Sequence, residues 1–154
     1  MNRTLATIDE VVVAARPIAE RVVWATVTTV SPTGEPRSRL MHPVWWWDGP
    51  APHALVSSRT TPIKRRHLAA NPRVSCSYWD PAHDTLVIDA VAEWVPPADA
   101  WDAVKAVPPP VGFDPAIVWP AGPTAADCGF LRLTAHRIVV TPVGGTPLLW
   151  SIEG

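Results

Sequence analysis

Cysteine, net charge and long apolar runs are all scarce in this chain of 154 residues. The two cysteines, Cys76 and Cys128, lie far apart with no CxxC spacing, which excludes a disulfide framework and points to a reduced, cytosolic chain. Lys and Arg number 13 against 14 Asp and Glu, a formal net charge of −1. That balance argues against a nucleic-acid partner and makes any basic site local. No uncharged apolar run reaches the ~20 residues of a membrane span. The opening MNRTLATIDE lacks an apolar core ahead of a small-residue cleavage site, so no signal peptide is expected. There is no internal repeat and no low-complexity tail. The length suits one domain, expected over 1–154, and a domain of that size buries roughly 70% of its unfolded surface without staples.

Proline and tryptophan are abundant instead. Proline fills 19 positions, more than twice the ~5% average share, and is spread along the chain as punctuation between many short elements. Nine tryptophans exceed what one ordinary core absorbs, so some are expected at an interface or beside a flat ligand.

The spacing of apolar residues predicts a helix over 8–20, capped by Thr7 and limited by Pro17. VVWATVTTV (22–30) reads as a strand and RSRLMHPVWWW (37–47) as the second arm of a hairpin across the SPTGEP turn. HALVSS is a third strand. Residues 61–70 form a short helix, capped by Thr60 or Thr61, with Pro62 at its first position. Further strands begin at Arg73, run through TLVIDAVAEWV, and occupy 129–142, with PLLW as an extension. PADAWDAVKAV is another helix, and PPPVGFDP an irregular connector. Short strands joined by tight turns favour an antiparallel barrel of six or seven strands with a few helices. In VWWW, Trp45 and Trp47 share one face, while Val44 and Trp46 share the other. One face fills the barrel, and a second subunit is the expected cover for the other, giving a homodimer.

SSRTTPIKRRHL (57–68) places Lys64, Arg65 and Arg66 at a helix start. Unpaired N–H groups and a positive partial charge already gather there. Cations in that turn are disfavoured by ~0.3–1 kcal/mol each. A bound phosphate reverses the sign, because it accepts the free N–H bonds and pairs with the cations. Ser57, Ser58, Thr60 and Thr61 add hydroxyl donors. Arg37 and Arg39, two apart on a strand, project from one face toward the same region. The residues alone leave open a solvated cationic patch on a helix end.

From about Trp24 to Val95, with a weaker echo over 130–150, the chain resembles the pyridoxamine 5′-phosphate oxidase-like superfamily of flavin and deazaflavin split barrels. EPRSRLM, VSS, PIKRRHLAANPRV and the pair VSCSYWD…TLVIDAVAEWV carry the likeness, and KxxxLxxNPRV is its sharpest part. The resemblance implies an FMN-binding split barrel, a homodimer with the cofactor at its interface, and an oxidoreductase acting on a small organic redox substrate. By position, Lys64 matches the flavin-phosphate lysine. Ser57 and Ser58 line the cofactor. Arg37 to His42, including Leu40 and Met41, run beneath the isoalloxazine with Arg39 as the charged contact. Thr85 offers the ring a polar contact, and Trp150 matches an aromatic that covers it. FMN is the preferred cofactor. The alternatives are F420, whose acidic tail suits Arg65 and Arg66, and a non-enzymatic flavin- or haem-binding module. The family's vitamin B6 enzymes hold substrate phosphate with a Tyr/Arg/Ser set. The matching stretch PPADAWDAVKAVPPPVGF has neither Arg nor Tyr, so that reaction is not expected.

Other clusters are set aside. Asp89 and Glu93 lie ~13 Å apart along a strand, too far for a paired-carboxylate glycosidase, which needs ~5–9.5 Å. Asp80, His83 and Asp84 suit a turn better than a metal. His42 reads as a structural histidine ahead of a proton donor, and Tyr78 as core. No catalytic triad is visible.

Overall fold

A computed structural model describes residues 4–152. The chain runs β1 (Thr4–Leu5), α1 (Ile8–Val22), β2 (Ala25–Val30), β3 (Pro36–Met41), β4 (Val44–Trp46) and β5 (His53–Ser57). It continues with α2 (Pro62–Ala70), β6 (Arg73–Trp79), β7 (Thr85–Val95), α3 (Pro97–Lys105), a 3₁₀ turn at Pro115–Ile117, β8 (Phe130–Thr141) and β9 (Leu148–Ser151).

β7 and β8 form the spine. Leu86, Ile88, Ala90 and Ala92 bury one face of β7 at i, i+2 spacing. β8 pairs antiparallel with β7 from Thr85↔Thr141 to Val95↔Phe130, with a register shift between Asp89 and Ala90. On its other edge β8 changes partner. Its first half pairs with β5 and its second half with β9. The sheet then runs from β7 through β6 and β2 to β3, while β4 joins β5. Among the described residues this makes nine strands, antiparallel except for the two-residue β1, which runs parallel to β9. This is the expected antiparallel barrel with extra short strands. One of them arises because the arm over 37–47 breaks at His42 and Pro43, where proline cannot donate to a ladder.

Pro17 does not end α1, which continues to Val22. Pro17 lies on the exposed side of the helix, and Val13, whose carbonyl loses its partner, is 77% exposed. At so exposed a position the freed carbonyl is open to solvent and not left unpaired in the core, so the helix tolerates the proline. Thr7 caps as expected, in a capping box with Glu10.

The interior divides in two. Trp45 and Trp47 join the barrel core with Val11 and Ile18 of α1, and Trp45 Nε1 donates to the buried Tyr78 hydroxyl at 2.8 Å. Val44 and Trp46 face a second core with Trp101 and Val104 of α3, Trp119 and Phe130. The expected alternation holds, but the cover for the second face comes from α3 and the connector after it. That strand face is therefore no argument for a second subunit.

Candidate functional site

The crowded helix start is resolved by α2. Thr61 is its N-cap, with its Oγ1 accepting the Lys64 backbone N–H at 3.3 Å, Pro62 occupies the first turn, and no acidic residue stands there. Lys64 folds back so that Nζ donates to Ser58 Oγ at 3.0 Å. Ser58 is itself buried, at 4% exposure. It is held by its N–H on the Gly129 carbonyl at 2.9 Å. A Cβ at Gly129 would lie 2.4 Å from Thr60 Cγ2 and 2.6 Å from the Ser58 carbonyl oxygen, so only glycine permits this approach.

Two guanidinium groups close on the same point. Arg39 enters from β3, its Nη1 donating to Thr29 Oγ1 at 3.0 Å. Arg59 comes from the loop before α2 and pairs with Asp127. Burial, then the charges of Arg39 and Arg59, hold the Lys64 ammonium below the ordinary lysine value. Among the described residues no carboxylate pairs with Lys64 or Arg39. A half-buried cation between two others, without a counter-ion of its own, is a built place for an anion.

These residues form one end of a cleft of about 500 Å³. The other end is apolar, walled by Trp24, Phe113, Ile117, Val118 and Trp119. His42 lies between them, its ring 5.4 Å from Trp24 and 4.8 Å from Phe113. Its Nε2–H donates to the Val111 carbonyl at 2.8 Å. Burial lowers the His42 pKa and the bond to Val111 opposes that shift. His42 thus fastens the connector after α3 to the strand end, as a structural histidine does. The cleft fits a molecule with an anion at one end and a flat apolar body at the other.

Arg39, Leu40, Met41, His42, Ser57, Ser58 and Lys64 all border this cleft, as the sequence led one to expect. Four predicted residues do not. Arg37 turns back to Glu35 and to the Pro36 carbonyl. Arg65 lays its guanidinium 5.1 Å over the Trp94 ring. Thr85 pairs with Trp79 and Thr141 at the opposite end of the spine. Trp150 pairs with Ile138. That is eight residues along β8 from Phe130, roughly 26 Å of strand, and its ring packs on the barrel core. Sequence reasoning missed Trp24, Arg59, Phe113, Ile117, Val118 and Trp119. For Phe113, Ile117, Val118 and Trp119 the visible signal was their apolar and aromatic character inside a proline-rich connector, which has no periodicity to reveal where it folds.

Residues 13–140 match the sequence profile of the family described as pyridoxamine 5′-phosphate oxidase. No curated protein matches. Among solved structures, one similar to this chain is a Clostridium acetobutylicum protein related to general stress protein 26 of B. subtilis, of the pyridoxinephosphate oxidase family. It shares 16% identity at a TM-score of 0.74, over 96% of this chain and 98% of that one. An F420 reductase is similar at 23% identity and a TM-score of 0.56, over 80% of this chain and 94% of that one. A pyridoxamine 5′-phosphate oxidase-related, FMN-binding protein of Nostoc punctiforme is similar at 11% identity and a TM-score of 0.58, over 90% and 84%. At these identities the likeness is one of fold. Among the described residues no helix is long and apolar enough to cross a membrane.

Proposed function

We propose a function from one premise: the chain belongs to the pyridoxamine 5′-phosphate oxidase family. In this reading it binds FMN noncovalently in the cleft and works as an oxidoreductase on a small organic substrate. The observation that carries the reading is Lys64, half-buried on Ser58, crowded by Arg39 and Arg59, and without a carboxylate partner among the described residues. Lys64, Arg39 and the N–H groups opening α2 hold the phosphoryl end. Met41 and the tryptophan-lined connector exclude water from the flat end. FMN, when bound, supplies the hydride and single-electron chemistry. Residues 96–113 contain no Arg and no Tyr, so vitamin B6 phosphate oxidation is not the proposed reaction.

F420 is the second reading. One observation favours it: Arg66 is exposed beside an α2 first turn that carries no acid, which suits a longer acidic tail. A homodimer is part of the proposal, since Leu40, at 72% exposure, and Ile117, at 79%, rim the cleft as bare apolar surface.

The visible spectrum of freshly purified protein, followed by titration of the stripped protein with FMN, F420 and haem, tests the reading. Tight, stoichiometric FMN uptake with its yellow chromophore is expected. A colourless protein that takes up none of the three ends it. Turnover with a chemical reductant and a quinone acceptor separates an enzyme from a carrier.

A further inference from the structure

A second concavity, of about 700 Å³, opens on the outside of the barrel between α3 and the β4–β5 pair. That volume is in the range of a small-molecule site. Its two walls differ in chemistry.

The sheet wall carries Trp46, His53, Leu55 and Arg132. Trp46 and His53 are cross-strand partners, and their rings stack at 5.5 Å with only 10° between planes. Arg132 stands opposite Leu55 in register. It makes no ion pair and no side-chain hydrogen bond among the described residues, although Glu93 is its neighbour on β7. Burial and the charge of Arg132 both lower the His53 pKa, against Asp48, which raises it. His53 is therefore biased toward the neutral, stacked form, and Arg132 is the wall's standing cation.

The helix wall is made of Ala100, Ala103 and Ala106, with Val107 beyond them. Methyl groups at successive turns leave a gap where larger side chains would close helix onto sheet. Asp99, on this wall at the start of α3, is the groove's carboxylate. It sits across from the arginine and makes the two ends electrostatically unlike. A slot with an aromatic floor, a free guanidinium at one side and an acid at the other accepts a flat ring bearing one negative charge, oriented toward the sheet.

We propose that this groove is a second binding site, distinct from the cleft, for a small aromatic carboxylate whose ring lies against Trp46 and whose carboxylate pairs with Arg132. The unpaired guanidinium matches a carboxylate in planar, two-bond geometry, and the stacked Trp46–His53 pair extends by one ring. The site is independent of the flavin reading, because no residue of one cavity lines the other.

Calorimetric titration of the full-length protein with 2-naphthoate, and with neutral 2-naphthamide as control, tests this. Naphthoate is expected to bind one per chain, and naphthamide roughly tenfold or more weakly. Arg132→Gln, at an exposed position, is expected to erase that preference without changing the melting temperature, and Arg132→Lys to restore part of it. Ala103→Leu fills the slot and is expected to abolish both. FMN titration of Arg132→Gln, and naphthoate titration of Lys64→Ala, are expected to match wild type. Three results overturn the proposal. One is no binding heat up to ~1 mM naphthoate. Another is equal naphthoate affinity in Arg132→Gln. The third is a change of oligomeric state in Ala103→Leu alongside no wild-type binding, which assigns the groove to a second copy of the chain.

Discussion

Lys64 brings a full charge into a half-buried pocket beside two guanidinium groups, with no carboxylate among the described residues to meet it. The same fact has opposite consequences for stability and for binding. Its folded pKa lies below the unfolded value of 10.5. Between those two values the unfolded chain holds more protons than the folded one, so stability rises with pH. Lys64 therefore disfavours the empty fold at neutral pH, and Lys64→Met is expected to raise the melting temperature of the stripped protein slightly. The same substitution is expected to weaken FMN binding roughly 10- to 100-fold, the range for losing a charge-assisted bond. Paired thermal melts and flavin titrations of one preparation check both directions. Unchanged FMN affinity would falsify the phosphate role. Anion binding needs the protonated amine, so FMN affinity is expected to fall as pH rises, beginning at a lower pH than an ordinary lysine would set. Fluorescence titration from pH 7 to 10, compared with Lys64→Arg, reads this. The arginine variant is expected to keep its affinity across that range.

Among the elements, α2 and α1 show how differently one residue type reads in sequence and in space. Proline at the first turn of α2 is followed by the cap bond from Thr61, and the same residues announced the helix in the sequence. Thr61→Ala is expected to cost about 1 kcal/mol in urea denaturation, and to weaken flavin binding as well, because that bond fixes the turn carrying Lys64. Pro17 was misleading, since the chain alone does not say whether the freed Val13 carbonyl meets water or core. Pro17→Ala is expected to stabilise the protein by up to ~3 kcal/mol, less whatever the freer unfolded chain takes back. β7 was legible to the residue, Thr85–Val95, because its alternation is unbroken between two turn signals. The cationic end of the cleft was legible for a related reason: Lys64, Ser57 and Ser58 lie within one local stretch, and Arg39 joins them through a single hairpin. The apolar end was not. Phe113, Ile117 and Trp119 reach it through an aperiodic connector held by the His42–Val111 bond, a contact across 69 positions that no local pattern encodes. Thr85 and Trp150 lie away from their own chain's cleft for the matching reason, since their distance from it follows from the β8 register.

For the molecule as a whole, the question is what covers the rim of the cleft. The tryptophan-rich arm no longer demands a partner, because α3 packs on Val44 and Trp46 from within the chain. The surface that calls for a partner is instead Leu40, Trp24 and Ile117, which are 72%, 55% and 79% exposed and all border the cleft. Single exposed apolar residues are ordinary, but three around one concavity of about 500 Å³ form the kind of patch that marks an interaction site. A closed two-fold dimer would cover both clefts at once, because an isologous interface uses the same patch on each copy. Arg37, Thr85 and Trp150 lie outside their own chain's cleft, so any contact they make with a bound cofactor would have to be in trans across such an interface. Leu40→Glu separates this from a monomer with an open mouth. The side chain points to solvent, so the fold has room for a carboxylate and the melting temperature of a monomer would not move. In a dimer the two buried charges of the symmetric interface are unpaired, and such a change costs several kcal/mol. Light scattering is expected to give about twice the chain mass of 16.7 kDa for the wild type and the single mass for Leu40→Glu, with weaker FMN binding in the variant. A wild type that runs at 16.7 kDa while saturated with FMN would show that one chain completes the site alone, and would remove the partner from the proposal while leaving Lys64 in it.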